Sequence, residues 1–372
     1  MERHVKLSRF TRAGSVAMVG ALALTLAACG SDPNTGGDST AEATEGGTEL
    51  SGTLSGGGAS SQESAMEAWR AGFQSQHPDV TVNYDPTGSG TGRENFISGA
   101  FPFIGSDAAL DDEEMAAAEE TCGSDVIEYP GYISPVAVAF NLEGIDSLNM
   151  TPETIASIFK GDITTWDDEA IAADNPDADL PDTDITVVHR SDPSGTTENF
   201  VEYLSTVVPD VWDFEVEDVW PVEGQESAQG TSGVVTTITS GEGTIGYADA
   251  SQIGDLGTAA VGVGGEFVPY SPEAAAAVVA ESPRVEGTAD TVWAYDLARD
   301  IPGTYPIVLV SYHIACATYE DEETAELVKG LYSYILSDEG QAQGTDAAGS
   351  APVSEELRSE FLTAVETISA AG

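Results

Sequence analysis

Positive charge is what this chain has least of. Twelve Lys and Arg stand against 64 Asp and Glu in 372 residues, for a formal net charge of −52. Four of the twelve (Arg3, Lys6, Arg9 and Arg12) lie within the first twelve residues, so only eight serve the remaining chain. Nucleic-acid binding rests on a basic footprint, and this balance excludes it. Histidine is scarce as well, with four in all and no HExxH or CxxC spacing. No metal site is expected from that pattern, and no cofactor. A G-x-S-x-G elbow is also missing, and no Ser/His/Asp set stands in a recognisable order, so no catalytic residue is assigned. The acidic runs Asp111–Glu114 and Glu320–Glu323 read as solvated faces rather than ion cages. High ionic strength would screen the resulting self-repulsion.

Long apolar runs are also few. The stretch Val16–Ala28 follows the basic N-terminal residues and is too short to span a bilayer comfortably. Together they read as an export signal over residues 1–28. Leu26-Ala27-Ala28-Cys29 resembles a lipobox, which predicts cleavage before Cys29 and lipidation, including palmitate, of its thiol. From there to residue 49 the chain is mostly small and polar and is expected to be a tether. Cleavage would leave 344 of the 372 residues, a length suited to two domains. Cysteine is otherwise limited to Cys122 and Cys316. In an exported protein an even pair suggests a disulfide, although two free buried thiols would look the same in sequence.

Past residue 50 the pattern alternates between strand and helix. Val80–Tyr84 is β-rich, Ala65, Met66, Trp69 and Phe73 recur at helical spacing, Ile185–Val188 is a short strand, and Asn199–Leu204 is amphipathic. This alternation predicts an α/β fold with mostly parallel strands. Three junctions share one local design. Gly56-Gly57-Gly58-Ala59-Ser60-Ser61, Thr87-Gly88-Ser89-Gly90-Thr91-Gly92 and Ser191-Asp192-Pro193-Ser194-Gly195-Thr196-Thr197 each lead from a strand into a helix. Glycine permits close backbone approach, first-turn amides lack intrahelical acceptors, and the helix dipole favours an anion there. Any one such loop reads equally as an ordinary Ser/Thr cap, but three converging loops would surround an oxyanion with neutral donors. Arg190 abuts the third loop and supplies a guanidinium fork that Asp192 is placed to orient. Asp107 follows a short apolar strand. A carboxylate there suits an anion that still carries a proton, such as monohydrogen phosphate, and repels fully ionised sulfate; as an alternative, Asp107 caps a helix over Leu110–Glu119.

In these segments the chain resembles the phosphate-binding component of the bacterial phosphate-specific ABC transporter, from about Leu50 onward. Gly58-Ala59-Ser60, Gly88-Ser89-Gly90, Gly105-Ser106-Asp107, Arg190–Thr196 and Gly243–Tyr247 each resemble family segments, and Ile158–Ile171 is the most specific match. The resemblance implies phosphate binding by Ser60, Ser61, Ser89, Asp107, Arg190, Ser194, Gly195 and Thr196. Here Ser60-Ser61 stands where the family often has Thr-Phe, and Pro193 replaces a common Gly. It also implies a two-lobed, type II periplasmic-binding-protein-like fold with the ligand cleft between lobes. Residues 50–132 and 306–372 would form one lobe and 133–305 the other, with crossings at Val136–Val138 and Ile307–Leu309. Trp166 would be structural. The expected partners are inorganic phosphate and the permease subunits of an ABC importer. The protein would be a monomer, lipid-anchored on the outer face of the cell membrane. A sulfate- or molybdate-type binder and a serine-type hydrolase are the competing readings.

Overall fold

The computed structural model describes residues 50–372. The export signal, Cys29 and the tether lie outside the described residues. The first elements are β1 (Gly52–Gly58), α1 (Glu63–Gln76), β2 (Val80–Asp85), α2 (Ser89–Ile97), β3 (Phe103–Ser106), α3 (Asp112–Cys122) and β4 (Val126–Asn141). Then come β5 (Ser147–Met150), α4 (Pro152–Lys160), α5 (Glu169–Asp174), β6 (Thr186–Arg190), α6 (Gly195–Val207), β7 (Glu226–Ala228), α7 (Gly230–Ser240) and β8 (Thr244–Asp249). The chain continues through β9 (Gly257–Val263), β10 (Glu266–Val268), α8 (Pro272–Glu281) and β11 (Val308–Cys316). It closes with β12 (Thr318–Tyr319), α9 (Glu322–Ile335), α10 (Asp338–Ala348), α11 (Glu355–Val365) and β13 (Ser369–Ala370). No helix among the described residues is long and apolar enough to cross a membrane.

The expected elements are present with shifted ends. Helix α1 buries Ala65, Met66, Trp69 and Phe73 on one face, as their spacing predicts. The indole N–H of Trp69 donates to the Gly340 carbonyl of α10 at 2.7 Å, so this large side chain enters the core with its polar atom satisfied. The strand read at Ile185–Val188 starts one residue later and runs on through Arg190, and α6 begins at Gly195. Gly56–Gly58 belong to β1 rather than to a loop, leaving Ala59–Gln62 as the turn into α1. Trp166 is fully buried and donates to the Gly243 carbonyl, a packing role. Asp107 does not cap a helix. Asp111 caps α3, in a reciprocal box with Glu114, four residues further on.

Strands β2, β1 and β3 pair in parallel, and β11 runs antiparallel between β3 and β4. Strand β4 changes partners midway. Val126–Pro135 pair with β11, and Val136–Asn141 pair with β8 while β9 adjoins at Ala139 and Phe140. Beyond β8 the parallel strands β6 and β7 complete this half. At the exchange the amide of Val136 donates to the Ile307 carbonyl at 2.8 Å. Segment Arg284–Trp293, which falls within 133–305, lies on the first half of β4: the Trp293 amide donates to the Glu128 carbonyl and its ring meets Phe361 at 4.9 Å.

A disulfide joins Cys122, the last residue of α3, to Cys316, the last residue of β11, across a sequence separation of 194. Closing so long a loop lowers the entropy of the unfolded chain. Replacing both cysteines with serine should lower the unfolding free energy by about 2–4 kcal/mol. Urea denaturation of the oxidised protein and the double variant measures this, and coincident midpoints would show the bond to be energetically idle.

Candidate functional site

Four chain turns meet where the two halves of the sheet face each other. The first is Ala59–Gln62, with Ser60 and Ser61 buried. The second enters α2 through Gly88, whose φ of 102° suits glycine, and places Ser89 at the first helical position. The third leaves β6 at Arg190 and enters α6 behind the cap Ser194, whose hydroxyl oxygen accepts from the Thr197 amide at 3.2 Å. The fourth follows β3 and carries Asp107. Side chains of all the expected site residues are buried, yet most are polar.

Asp107 is the meeting point. Its Oδ1 accepts from the Ser61 hydroxyl at 2.7 Å and its Oδ2 from the Thr196 hydroxyl at 2.9 Å. Its amide donates to Ser89 Oγ at 3.1 Å, which leaves the Ser89 proton free to point elsewhere. Its carbonyl accepts from the Asn199 amide group at 2.6 Å. A Cβ on Gly195 would lie 2.7 Å from Asp107 Cβ and 2.8 Å from Ser89 Oγ, so only glycine lets α6 approach this closely. The amides of Gly195 and Thr196 open α6 and have no intrahelical acceptor. Burial pushes the Asp107 carboxyl above its usual range, opposed by hydrogen bonds from Ser61, Ser311 and Thr196 and by the Arg190 charge.

Arg190 stands beside this point with its fork held. Asp192 accepts from Arg190 Nε at 2.8 Å and pairs with one terminal nitrogen, occupying two of the guanidinium's three nitrogens. The same carboxylate accepts from the Gly230 amide at 3.0 Å and so ties the third loop to α7. Ser60 turns from the Asp107 cluster: its hydroxyl lies 3.1 Å from Thr231 Oγ1 and also accepts from the Thr231 amide. Gln252 donates to the carbonyls of Ser60 and Ser61.

Several participants escaped the sequence reading. Arg93 of α2 is buried among three carboxylates, with Nε 2.9 Å from Glu114 and a terminal nitrogen 3.2 Å from Asp218 and 3.8 Å from Glu198. Asp218 also accepts, through its carbonyl, from the Ser194 amide at 2.8 Å. Arg93 therefore links the second loop to the third. Burial pushes Glu198 up to about 7 against the pull of Arg93. The signal was present, since Arg93 directly follows the second glycine-rich loop in a chain with few cations. Thr231 and Gln252 carried no such mark.

Beneath the Asp107 turn, Glu128 of β4 is fully buried, and its Oε1 accepts from the Leu110 amide at 3.0 Å. Burial pushes its carboxyl up to about 8. A free glutamate titrates near 4.3, so folding takes up a proton between that pH and about 8, and stability falls as pH rises through this window. Glu128→Gln keeps an acceptor for Leu110 and should flatten that slope. Melting temperatures from pH 5 to 8 test it, and parallel curves for the variant and wild type would place the titration elsewhere.

Known proteins resemble the chain in sequence and in fold. A model described as a PBP superfamily domain matches residues 42–339. The chain is 35% identical over 377 residues to the phosphate-binding protein PstS3 of Mycobacterium bovis, covering 98% of this chain and all of the relative. It is 33% identical to the corresponding protein of Mycobacterium leprae, over 98% of this chain and all of that one. Among solved structures, a phosphate-binding protein from Stenotrophomonas maltophilia superposes with a TM-score of 0.66 at 20% identity, covering 84% of this chain and 93% of that one. A likeness at that identity speaks for the fold, which is the mixed α/β, two-lobed binding-protein type. Its 35% identity over nearly full length settles the family: the chain belongs to the PstS-type phosphate-binding proteins of the PBP superfamily.

Proposed function

We propose that the protein binds inorganic phosphate in the cleft between residues 50–132 plus 306–372 and residues 133–305, and delivers it to an ABC importer without chemical change. The observation that carries this reading is a buried carboxylate among oxyanion donors. Asp107 sits within hydrogen-bond distance of Ser61, Ser89 and Thr196 and beside the opening of α6. A protonated oxyanion suits that mixture: its ionised oxygens take the protons of Ser89, Arg190 and Ser194 and of the Ser61, Gly195 and Thr196 amides, and its hydroxyl donates to Asp107, which keeps the Ser61 and Thr196 hydroxyls. Ser60 would shape the first loop through Thr231. Sulfate has no proton to offer and would set acceptor against acceptor in a dry site, which disfavours the sulfate reading. Calorimetric titration with phosphate, sulfate and arsenate at fixed salt tests the assignment. Saturable binding of phosphate and arsenate with sulfate excluded is the expected result; no phosphate binding, or sulfate binding as tight, overturns it.

The anchoring reading rests on Leu26–Cys29 and is part of the same proposal. One residue bearing two or more acyl chains would hold the protein stably at the membrane, at about 0.8 kcal/mol per buried methylene. Cys29→Ala should move the protein from the membrane fraction to the soluble one. Retention of the variant after detergent-free washing would argue against a lipid on this residue.

A further inference from the structure

Asp107 has a neighbour that lies on none of the four turns. Ser311 sits on β11 at an irregularity in its pairing with β4, between Ser311 and Tyr312; the antiparallel Tyr312–Ser106 pair sets it across from Asp107, and it is fully buried. Such bulges re-aim a side chain relative to a regular strand. Behind Ser311 lie Gln62 and His313, both fully buried and neither a ligand candidate. Resting on the phosphate reading above, we propose that His313, Gln62 and Ser311 form a one-way hydrogen-bond chain. It ends on the Asp107 carboxylate and holds it in the acceptor role, making Ser311 a positioning residue for the selection of protonated over unprotonated oxyanions.

The polarity of the chain follows from its far end. The His313 ring is boxed by Trp69, Tyr129 and Tyr332, with ring centroids 5.3–5.4 Å away. Burial drives its titration down to about 3, so it is neutral and carries one ring proton. His313 Nε2 lies 2.9 Å from Gln62 Oε1, and the Gln62 amide nitrogen lies 2.8 Å from Ser311 Oγ. An amide N–H can only donate, so Ser311 Oγ accepts there, the carbonyl end of Gln62 faces the ring, and the ring proton sits on Nε2. With its oxygen engaged by Gln62, Ser311 directs its own proton to Asp107. Space is reserved for the arrangement: a Cβ at Gly105 would lie 1.9 Å from the Gln62 nitrogen, and one at Gly131 would lie 2.3 Å from His313 Nδ1.

The consequence concerns the count of acceptor positions. An ionised carboxylate offers about four lone-pair directions. Ser61, Thr196 and Ser311 address three, leaving one for a ligand hydroxyl. Without Ser311 the buried carboxyl takes up a proton more readily, and a protonated Asp107 donates to sulfate as well as it accepts from phosphate.

Two variants test this. Ser311→Ala deletes the last donor. Gln62→Glu puts an acceptor where the amide nitrogen was, so Ser311 turns its proton away from Asp107. Circular dichroism and melting confirm folding of each, and calorimetry gives phosphate and sulfate affinities at one pH and salt. The phosphate-to-sulfate affinity ratio should fall about tenfold or more in each folded variant, the scale of one hydrogen bond to a charged group. Adding Ser311→Ala to Asp107→Asn should change the ratio no further, because the two act on one group. Equal loss of both anions, an unchanged ratio, or additive effects in the double variant would overturn the chain. Should the wild type itself fail to bind phosphate, the functional assignment falls; binding with an unchanged ratio in the variants removes only the role given to Ser311.

Discussion

Arg190→Ala should weaken phosphate binding by about 2–5 kcal/mol, the loss seen when one member of a buried, hydrogen-bonded charge pair is truncated. At about 1.4 kcal/mol per factor of ten, that is roughly 30-fold to several thousand-fold in Kd. Two effects add. The ligand would lose the guanidinium donor that Asp192 leaves unengaged, and Asp192 is left with only the Gly230 amide, as an anion facing an anion. Sulfate should suffer in proportion, because a guanidinium does not sense the ligand's proton. Arg190→Lys should recover the charge but not the fork, and so only part of the affinity. Titration of both anions measures this. A change below threefold for phosphate would mean that the Arg190–Asp192 pair serves the loop alone.

Asp107→Asn should act on choice rather than strength. A site built to pair a ligand hydroxyl rejects the analogue lacking it by about 10⁴–10⁵-fold. Asparagine offers an amide that accepts from phosphate or donates to sulfate, so much of that rejection should vanish while phosphate affinity changes far less. The asparagine carbonyl oxygen still accepts from one of the Ser61 and Thr196 hydroxyls, while the other must turn to accept from the amide nitrogen, which limits the structural cost. The measurement is the ratio of sulfate to phosphate Kd in wild type and variant. If sulfate stays excluded as strongly as before, selection resides in another group and Asp107 only organises the four turns.

The loops were legible because their chemistry is local. Strand, small polar turn and helix start lie within about ten residues, and Ser89, Arg190 and Ser194–Thr196 could be named from them together with the family resemblance. Boundaries were less so: glycines at 56–58 read as a loop, yet β1 carries them between β2 and β3, where the sheet admits no side chain. Asp107 as a cap was a fair local reading that Asp111 displaced with a full capping box. What stayed hidden depends on distance along the chain. Gln62 meets Ser311 and His313 across some 250 positions. Arg93 meets Asp218 across 125. No periodicity or spacing encodes such pairs; only the closed topology brings them together.

Strand β11 sets an order of events. It lies between β3 and β4, so before residues 308–316 are in place the β2-β1-β3 group has no strand pairing to β4 among the described residues. Strands β4 to β9 and the helices between them can begin to assemble as the chain emerges from its source. Strands β1 to β3 must wait for a partner some two hundred positions away, and closing a loop of that length is slow. Ser60, Ser61, Ser89 and Asp107 all belong to the waiting part. On this topology, competence to hold a ligand comes only once β11 slots between β3 and β4.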